Sequence, residues 1–454
     1  MSEIKIGRKD VVWNYVATFL KIGVGVILLP FILRVFPQET VAVWNIFIAI
    51  IALSSLFDFG FNPSFARNIS YVISGVKELK TIGFQTIDNK DAEIDYGLLK
   101  GLIDTMRWFY ARMALVLFSV LVIAGTMYIH NVLKTYSGDV NEVYIAWIIL
   151  IIVNSYSFYT MYYDSLLQGM GLIKVSKQIE ITGQAIYLTI AASLILLHFN
   201  LIAIVSAQAF SIIIRRILSH KTIYTADFKA KLQTVSVQPI RQYIKPILPN
   251  AVKLGLTSLG SFFLTKSSLM IGALYLSLDN IASYGITTQI VGIISGIGFI
   301  SVNTYLPKVS QHRVYNDIIP IKRIYIKSSI ILVITYMFLG FLVVFSGNSI
   351  LNSLHSTTKL LPESYILLIL LISLLETYHS AAGNFLLTKN EVPFFKASII
   401  SGLCTFGGVF LLLHYTTLGL TALVIVPLLV DVSYQSWKWP WEVIKDLKPS
   451  KNEL

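Results

Sequence analysis

Long runs of apolar residues, separated by short polar segments, make up most of this chain. A helix needs about 20 consecutive apolar residues to cross the hydrocarbon core of a bilayer, and runs of this length recur from end to end. We therefore predict an all-α polytopic membrane protein with twelve transmembrane helices, at 13–36, 41–62, 109–130, 143–163, 179–198, 201–219, 248–275, 280–302, 328–347, 363–385, 397–416 and 418–436.

The composition and the positions of the charges support the same class and predict an orientation. Of the 454 residues, 55% are hydrophobic and 13% are charged, whereas soluble domains carry about 25% charged residues. A net charge of +12 could indicate a nucleic-acid partner, but the positions of the charges along the chain indicate another origin. We find 29 of the 36 lysines and arginines in or beside alternate connections, and two, Lys134 and Lys359, in the others. This positive-inside bias predicts cytoplasmic N- and C-termini and no nucleic-acid binding.

The chain divides into two halves around a basic, hydrophilic centre. A weak internal repeat relates them: Asn14 opens the first predicted span and Asn250 the seventh, and FPQETVAVWN at 36–45 aligns with LSLDNIASYG at 276–285. Equivalent segments cross the membrane in the same direction, so we predict two six-helix lobes related by a pseudo-two-fold axis along the membrane normal, as in transporters. The predicted boundaries are an N-terminal lobe at 1–220, a cytoplasmic linker at 221–247 and a C-terminal lobe at 248–454.

Three stretches carry a resemblance to a known family. They are LLPFILRVFPQETVAVWNIFIAIIALSSLFDFGFNPSFARNIS at 28–70, YDSLLQGMGLIKVSK at 163–177 and the region from 280 to 310. In order and spacing the chain resembles the polysaccharide transporters, the Wzx-type O-antigen (lipid-linked oligosaccharide) flippases of the multidrug/oligosaccharidyl-lipid/polysaccharide (MOP) exporter superfamily. The family's opening pattern is filled here by Pro30, Arg34, Pro37, Glu39, Asp58, Gly60 and Arg67, and the chain departs from it at Phe59, Phe61 and Asn62.

The resemblance implies a function and a set of partners. It implies a flippase that moves a polyprenyl-diphosphate-linked oligosaccharide, of the undecaprenyl type, from the cytoplasmic to the outer leaflet of the cell (inner or plasma) membrane. The resemblance also implies transport by alternating access, for O-antigen or capsule biosynthesis. The implied partners besides the cargo are membrane lipids and the polysaccharide polymerase machinery. The alternative is an ion-coupled drug or metabolite antiporter of the same superfamily. A sugar-polymerising membrane enzyme fits less well, because the predicted outer loops are short; we expect no enzyme, no cofactor and no metal.

Cationic side chains within the predicted spans are the candidate substrate-binding residues. A lysine or arginine in mid-bilayer costs about 2.5–3.5 kcal/mol on insertion scales, so such residues usually face a water-filled cavity. Lys21 lies in the first span and Lys253 in the seventh. Given the diphosphate cargo that the resemblance implies, we predict that both hold the headgroup in a shared cavity, with Arg34 at its outer end. Polar residues on the same helix faces complete the predicted cavity: Asn14, Asn250 and Thr257. The alternative role for all of them is polar contact between helices.

Two further groups are candidates for coupling and gating. In the tenth span, Glu376 and His379 share one helix face, and a carboxylate beside an imidazole can change protonation near neutral pH. The chain has no G-x-x-x-x-G-K-[ST] phosphate loop, so we predict coupling to a proton or a sodium ion at this pair rather than ATP hydrolysis. Asp58 and Arg67, at the predicted cytoplasmic mouth of the second span, form a candidate gate. The alternatives are a polar pair that seals helices together and an ordinary helix stop.

Overall fold

The computed structural model describes residues 8–73, 75–79, 93–236, 239–314, 318–389 and 393–447. Within these ranges the chain forms eighteen α-helices and no strand. The first nine are α1 (Arg8–Val35), α2 (Gln38–Ser55), α3 (Phe61–Ile73), α4 (Tyr96–Val120), α5 (Thr126–Val132), α6 (Val140–Tyr159), α7 (Tyr162–Gly169), α8 (Ile173–Leu196) and α9 (Asn200–Ile223). The others are α10 (Ala226–Gln233), α11 (Ile240–Thr265), α12 (Ser267–Tyr275), α13 (Leu278–Val314), α14 (Ile318–Ser353), α15 (Glu363–Leu387), α16 (Phe395–Tyr415), α17 (Leu420–Val430) and α18 (Ser436–Asp446).

The predicted spans coincide with the long apolar helices. Among the described residues, 10 helical segments are long and apolar enough to cross a membrane, and the bent helix α11 makes 11 if it is counted as one span. The first predicted span corresponds to α1, whose apolar part is the shorter stretch Gly23–Val35. The all-α polytopic class is therefore confirmed. The cytoplasmic location of the termini stays a prediction.

The last predicted span contains a local break in its α-helical hydrogen bonding. Pro427 lies inside α17 and has no backbone N–H to donate to the carbonyl of Leu423, one turn earlier. The chain then passes through a π-helical turn, Asp431–Gln435, before α18 begins. Single π-helical turns inside α-helices often occur at functional sites, and this one contains a buried acid that is described below.

The chain forms two compact units, which share α1, α2 and α11. The first unit contains the described residues of Met1–Phe31 and Ile50–Ser258, and the second contains those of Ile32–Ala49 and Leu259–Leu454. The end of α1 and the start of α2 thus pack within the second unit. The predicted lobes at 1–220 and 248–454, joined by a linker at 221–247, stay a prediction.

In the first unit, α9 packs against both α6 and α8, α3 packs against α7, and α4 packs against α6. Polar contacts hold these helices at defined points. The Ser211 hydroxyl on α9 donates to the carbonyl of Gly183 on α8, at 2.7 Å. The Glu142 carboxylate on α6 accepts hydrogen bonds from the Asn200 side chain and the Leu201 N–H, at 3.0 and 3.1 Å. Glu142 therefore satisfies a free N–H group at the start of α9.

In the second unit, α13 packs against α14 and α15, α15 packs against α18, and α16 packs against α12 and α17. A close backbone contact joins α11 and α16. A Cβ atom on Gly402 would lie 2.4 Å from the carbonyl oxygen of Gly260, so only glycine fits there. The start of α2 is attached to the start of α13 by a hydrogen bond from the Gln38 side chain to the carbonyl of Asp279, at 3.3 Å.

Candidate functional site

The seventh predicted span corresponds to α11, and the helical spacing of the sequence places Lys253 on one polar face with Thr257, Ser261 and Thr265. The Lys253 side chain is exposed, and no carboxylate among the described residues forms an ion pair with it. One turn later, the half-buried Thr257 donates its hydroxyl to the Lys253 carbonyl at 3.0 Å, and Thr265 donates to the Ser261 carbonyl at the same distance. Each of these hydroxyl groups thus donates within the helix, and its oxygen can still accept a hydrogen bond.

The other residues of the predicted cationic cavity are described only in part. The backbones of α1 and α11 include Asn14, Lys21 and Asn250, but the side chains of these three lie outside the described residues. Arg34 is exposed in the last turn of α1, where a positive charge complements the negative end of the helix dipole. By the division of the chain, Lys21 and Lys253 belong to the first unit and Arg34 to the second. Their joint action on one headgroup stays a prediction.

The candidate gate segment forms a helix break stabilised by Asp58. A 3₁₀ turn ends at Asp58, Phe59 and Gly60 adopt positive φ angles of 46° and 70°, and α3 begins directly afterwards. The Asp58 carboxylate accepts from the N–H of Asn62 at 3.1 Å and from the Tyr110 hydroxyl at 2.7 Å. It thus satisfies an N–H group in the first turn of α3 and links that turn to α4.

The second residue of the candidate gate lies apart from this cap. Arg67 is exposed on α3, and the structure shows no ion pair between it and Asp58. Pro63 falls within the first turn of α3, where the backbone N–H groups have no intrahelical acceptor and the missing N–H costs no hydrogen bond. The helix break at Phe59 and Gly60 falls within the predicted second span, and the partner of Asp58 is the buried Tyr110. A gating role for Asp58 and Arg67 stays a prediction.

The candidate coupling residues lie in the second unit beside an acid that the sequence analysis overlooked. Asp431, in the π-helical turn, is fully buried, and its Oδ1 lies 3.1 Å from the Nδ1 of His379 on α15. The approach is not aligned for a hydrogen bond, and neither carboxylate oxygen of Asp431 has a hydrogen-bond donor among the described residues. A buried carboxylate without donors is costly when ionised, which is the condition for binding a proton or a cation.

Glu376 completes this acidic cluster. It is half-buried one turn before His379, and its carboxyl group interacts electrostatically with both Asp431 and Lys266. Lys266 is exposed at the break between α11 and α12, away from the polar face of α11. Three elements therefore bring two carboxyl groups, one imidazole and one ammonium group together. No group of three His, Cys, Asp or Glu ligands suited to a metal ion occurs in the described part of the chain.

A chain of hydroxyl groups lies next to the acidic cluster. The Tyr336 hydroxyl contacts the hydroxyl groups of Ser295, Ser373 and Thr377, the last at 2.7 Å, and the Ser295 and Ser373 oxygens are 2.7 Å apart. Ser373 and Thr377 flank Glu376 on α15. Hydroxyl groups both donate and accept, so such a chain can pass a proton along or solvate a charge.

Sequence reasoning overlooked Asp431 because it placed this residue near the inner end of the last span. The signal that could have found it is an acid directly after the apolar run LTALVIVPLLV, with no basic residue within one helical turn. Such an acid has no local partner and must find one on another helix. The proline four residues earlier is a second signal, because it predicts a local break in the helix.

Comparisons with known proteins identify the fold. No protein-family model matches the chain, and none of the curated proteins matches it. Among solved structures, the chain is similar to a multidrug resistance MATE family transporter of the MOP superfamily in an inward-facing conformation, with TM-score 0.62, 12% identity and 96% of each chain covered. It is also similar to a MOP superfamily transporter from Pyrococcus furiosus whose binding pocket is described as reversed in polarity, with TM-score 0.58, 16% identity, and 97% and 96% covered. An outward-facing multidrug resistance MATE transporter matches with TM-score 0.53, 15% identity, and 97% and 95% covered.

Proposed function

We propose that this chain, which has the fold of the MOP superfamily transporters, is a flippase for a polyprenyl-diphosphate-linked oligosaccharide. It would move the cargo from the cytoplasmic to the outer leaflet by alternating access, for O-antigen or capsule biosynthesis. The observation that supports this cargo best is Lys253: an exposed ammonium group in the apolar part of α11, with no acidic partner among the described residues. A cation in that position favours an anionic substrate.

The charge of the cargo explains why a lysine is useful within the membrane. A diphosphate carries about two negative charges, and its transfer into hydrocarbon without partners is prohibitive. An ammonium group offsets part of that cost, while exposed hydroxyl groups such as that of Ser261 can hydrogen-bond the sugar. Lys21 and Arg34 would add further positive charge on the same path.

The acidic cluster would couple transport to an ion gradient, which supplies the driving force. Glu376 and Asp431, with His379 beside Asp431, can exchange a proton as their surroundings change, and the hydroxyl chain through Tyr336 offers a route for it. We propose that uptake and release of a proton or a sodium ion at this cluster is coupled to reorientation of the cargo.

A second candidate function is an ion-coupled drug or metabolite antiporter. The observation in its favour is that the solved structures with this fold include multidrug resistance MATE transporters, at identities that establish the fold alone. Such a protein would bind cationic compounds, for which the unpaired ammonium group of Lys253 is unfavourable. The two candidates therefore differ in the charge of the ligand that they bind.

Ligand binding to the purified protein separates them. We expect a polyprenyl diphosphate sugar to bind and a cationic dye such as ethidium not to compete with it. Replacing the lysine by glutamine (K253Q) should weaken the anionic ligand roughly tenfold or more, the range expected for one charge-assisted contact. Lys245 on the same helix is the matched control, and K245Q should leave binding unchanged. Tight ethidium binding that K253Q strengthens would favour the antiporter.

A further inference from the structure

We infer that the first unit carries a binding site for the phosphate headgroup of an anionic membrane phospholipid, formed by Arg107, His220 and Tyr224. The three residues lie where α6 and α9 end, the end that the charge distribution assigns to the cytoplasm. They share no residue with the polar face of α11 or with the acidic cluster. The site does not depend on the identity of the cargo.

A frame of aromatic rings positions these groups. The rings of Tyr162 and Tyr163 stack with their centroids 4.3 Å apart, and Tyr159 lies 6.3 Å from Tyr162. The guanidinium carbon of Arg107 lies 5.7 Å from the centroid of the Tyr162 ring, within the range of a cation–π contact. Tyr162 and Tyr163 are buried, so the frame is rigid, whereas Arg107 is exposed at its edge.

The charge of Arg107 is not neutralised by an ion pair among the described residues. Arg216 on α9 shows the contrast, because both of its terminal nitrogens bind the Asp164 carboxylate, at 2.9 and 3.1 Å. Two further charged groups act on the site, Asp104 on Tyr224 and Lys229 on His220. Among Arg107 and these two groups, the positive charges outnumber the negative one. An arginine without a carboxylate partner is suited to bidentate binding of a phosphate.

The second group of the site is the hydroxyl of Tyr224. This oxygen is shielded from solvent, and no hydrogen bond to it is formed among the described residues. Burial raises the pKa of Tyr224 to about 12, so the hydroxyl keeps its proton at neutral pH and remains a hydrogen-bond donor. A buried hydroxyl without a partner costs stability, and a phosphate oxygen would supply the missing acceptor.

His220 adds a donor beside Tyr224. Its Nδ1 lies 3.0 Å from the Tyr163 hydroxyl, and its ring lies 4.9 Å from the Tyr224 ring, centroid to centroid. When the Tyr163 hydroxyl donates to Nδ1, the neutral ring carries its proton on Nε2. His220 is exposed, so this second nitrogen is accessible to a ligand.

Two exposed apolar stripes lead to the site and identify the ligand as a lipid. On α9, Phe210, Ile213 and Ile217 are exposed and share one helix face with His220 and Tyr224. This stripe runs for about 15 Å before it reaches the site, at 1.5 Å per residue. Exposed residues of the neighbouring helix α6 form a second stripe that ends at the aromatic frame: Ile145, Ile148, Ile152, Tyr156 and Tyr159.

The exposed apolar stripes favour a lipid phosphate over free phosphate at this site. Free phosphate would gain nothing from an apolar surface, whereas the acyl chain of a lipid would lie along it with its phosphate beside Arg107. The helices α6 and α9 pack against each other, so both stripes can contact one lipid molecule. A phospholipid with a net negative charge therefore fits the charge, the hydroxyl donor and the apolar surface together.

Native mass spectrometry of the full-length protein, titrated with phosphatidylglycerol or phosphatidylcholine, tests this site. We expect tighter binding of phosphatidylglycerol, and roughly tenfold weaker binding in the variant R107Q. The matched control is Arg112 on the same helix, whose guanidinium carbon lies 4.1 Å over the Trp108 ring, outside the tyrosine frame. The variant R112Q should bind phosphatidylglycerol as the wild type does.

A second variant removes only the unpartnered hydroxyl. Y224F should weaken phosphatidylglycerol binding about threefold or more, while its thermal unfolding temperature in lipid-free detergent equals or exceeds that of the wild type. This variant keeps the test available if R107Q folds poorly. Equal losses in R107Q and R112Q, equal affinity for both lipids, displacement by millimolar inorganic phosphate, or a lowered unfolding temperature in Y224F would each overturn the proposal.

Discussion

The hydrogen bond between Tyr110 and Asp58 allows a quantitative test of how the helix break after the second span is held. The Tyr110 hydroxyl donates to the Asp58 carboxylate at 2.7 Å, and Tyr110 is fully buried. A hydrogen bond to a charged group contributes about 1.5–3 kcal/mol to stability. The variant Y110F removes the donor and leaves the ring in place. We therefore expect its free energy of unfolding to fall by about 1.5–3 kcal/mol.

Substitutions of Asp58, Tyr110 and Arg67 distinguish a helix cap formed by Asp58 from a charge pair between Asp58 and Arg67. Arg67 is exposed and forms no ion pair with Asp58, so R67Q should change the free energy of unfolding by less than about 0.5 kcal/mol. In double-mutant cycles, D58A should show a coupling energy of about 1–3 kcal/mol with Y110F and almost none with R67Q.

Equilibrium unfolding in mixed micelles, driven by a rising proportion of SDS and followed by tryptophan fluorescence, supplies these energies. The four proteins of each cycle are measured under identical conditions. A coupling energy between Asp58 and Arg67 that equals or exceeds the one between Asp58 and Tyr110 would refute the cap. It would show that the carboxylate is held by the exposed arginine.

Three further predictions concern the second unit. Because a Cβ on Gly402 would meet the Gly260 carbonyl, G402A should lower the free energy of unfolding by about 1–3 kcal/mol. A Cβ on Gly407 would meet nothing within 4 Å, so G407A should leave the free energy of unfolding unchanged. Equal effects of the two variants in SDS titration would contradict this contact. E376Q should transport at a rate that no longer varies with pH, measured in proteoliposomes, and an unchanged pH profile would exclude Glu376 from coupling. D431N should also abolish the pH dependence of transport. Its free energy of unfolding should be no lower than that of the wild type, since the buried carboxylate has no hydrogen-bond donor among the described residues. Clear destabilisation would instead show that Asp431 forms an ion pair.

The class and the spans of this protein follow from its sequence because lipid imposes a strong and local rule. Every backbone polar group must be satisfied within its own helix, so a run of about 20 apolar residues has one stable structure. The bounds differ mainly where a helix continues beyond the bilayer, as α14 does at both ends of the predicted span 328–347. Short helices such as α10 were not predicted, since its 8 residues form about two turns and carry too weak a pattern.

The partners of the charged residues could not be predicted in the same way. Asp58 is 52 residues from Tyr110 in the chain, and the same separation divides Asp164 from Arg216. His379 and Asp431 are likewise on different helices. A helix pattern shows which face a side chain occupies but not which helix packs on that face. The polar stripe that contains Lys253 could be read from the sequence, because a stripe on a single helix is a local property, whereas the cavity that it was predicted to face stays a prediction.

Translocation in proteoliposomes tests the central claim, that this chain moves an anionic lipid-linked sugar with the help of Lys253. A fluorescent polyprenyl diphosphate disaccharide is placed in both leaflets, and its loss to a membrane-impermeant quencher is followed over time. We predict that the wild type and K245Q make the inner-leaflet pool accessible at equal rates, whereas K253Q does so at least tenfold more slowly at matched protein content. A wild-type rate equal to that of protein-free vesicles, or an unchanged rate in K253Q, would contradict the account.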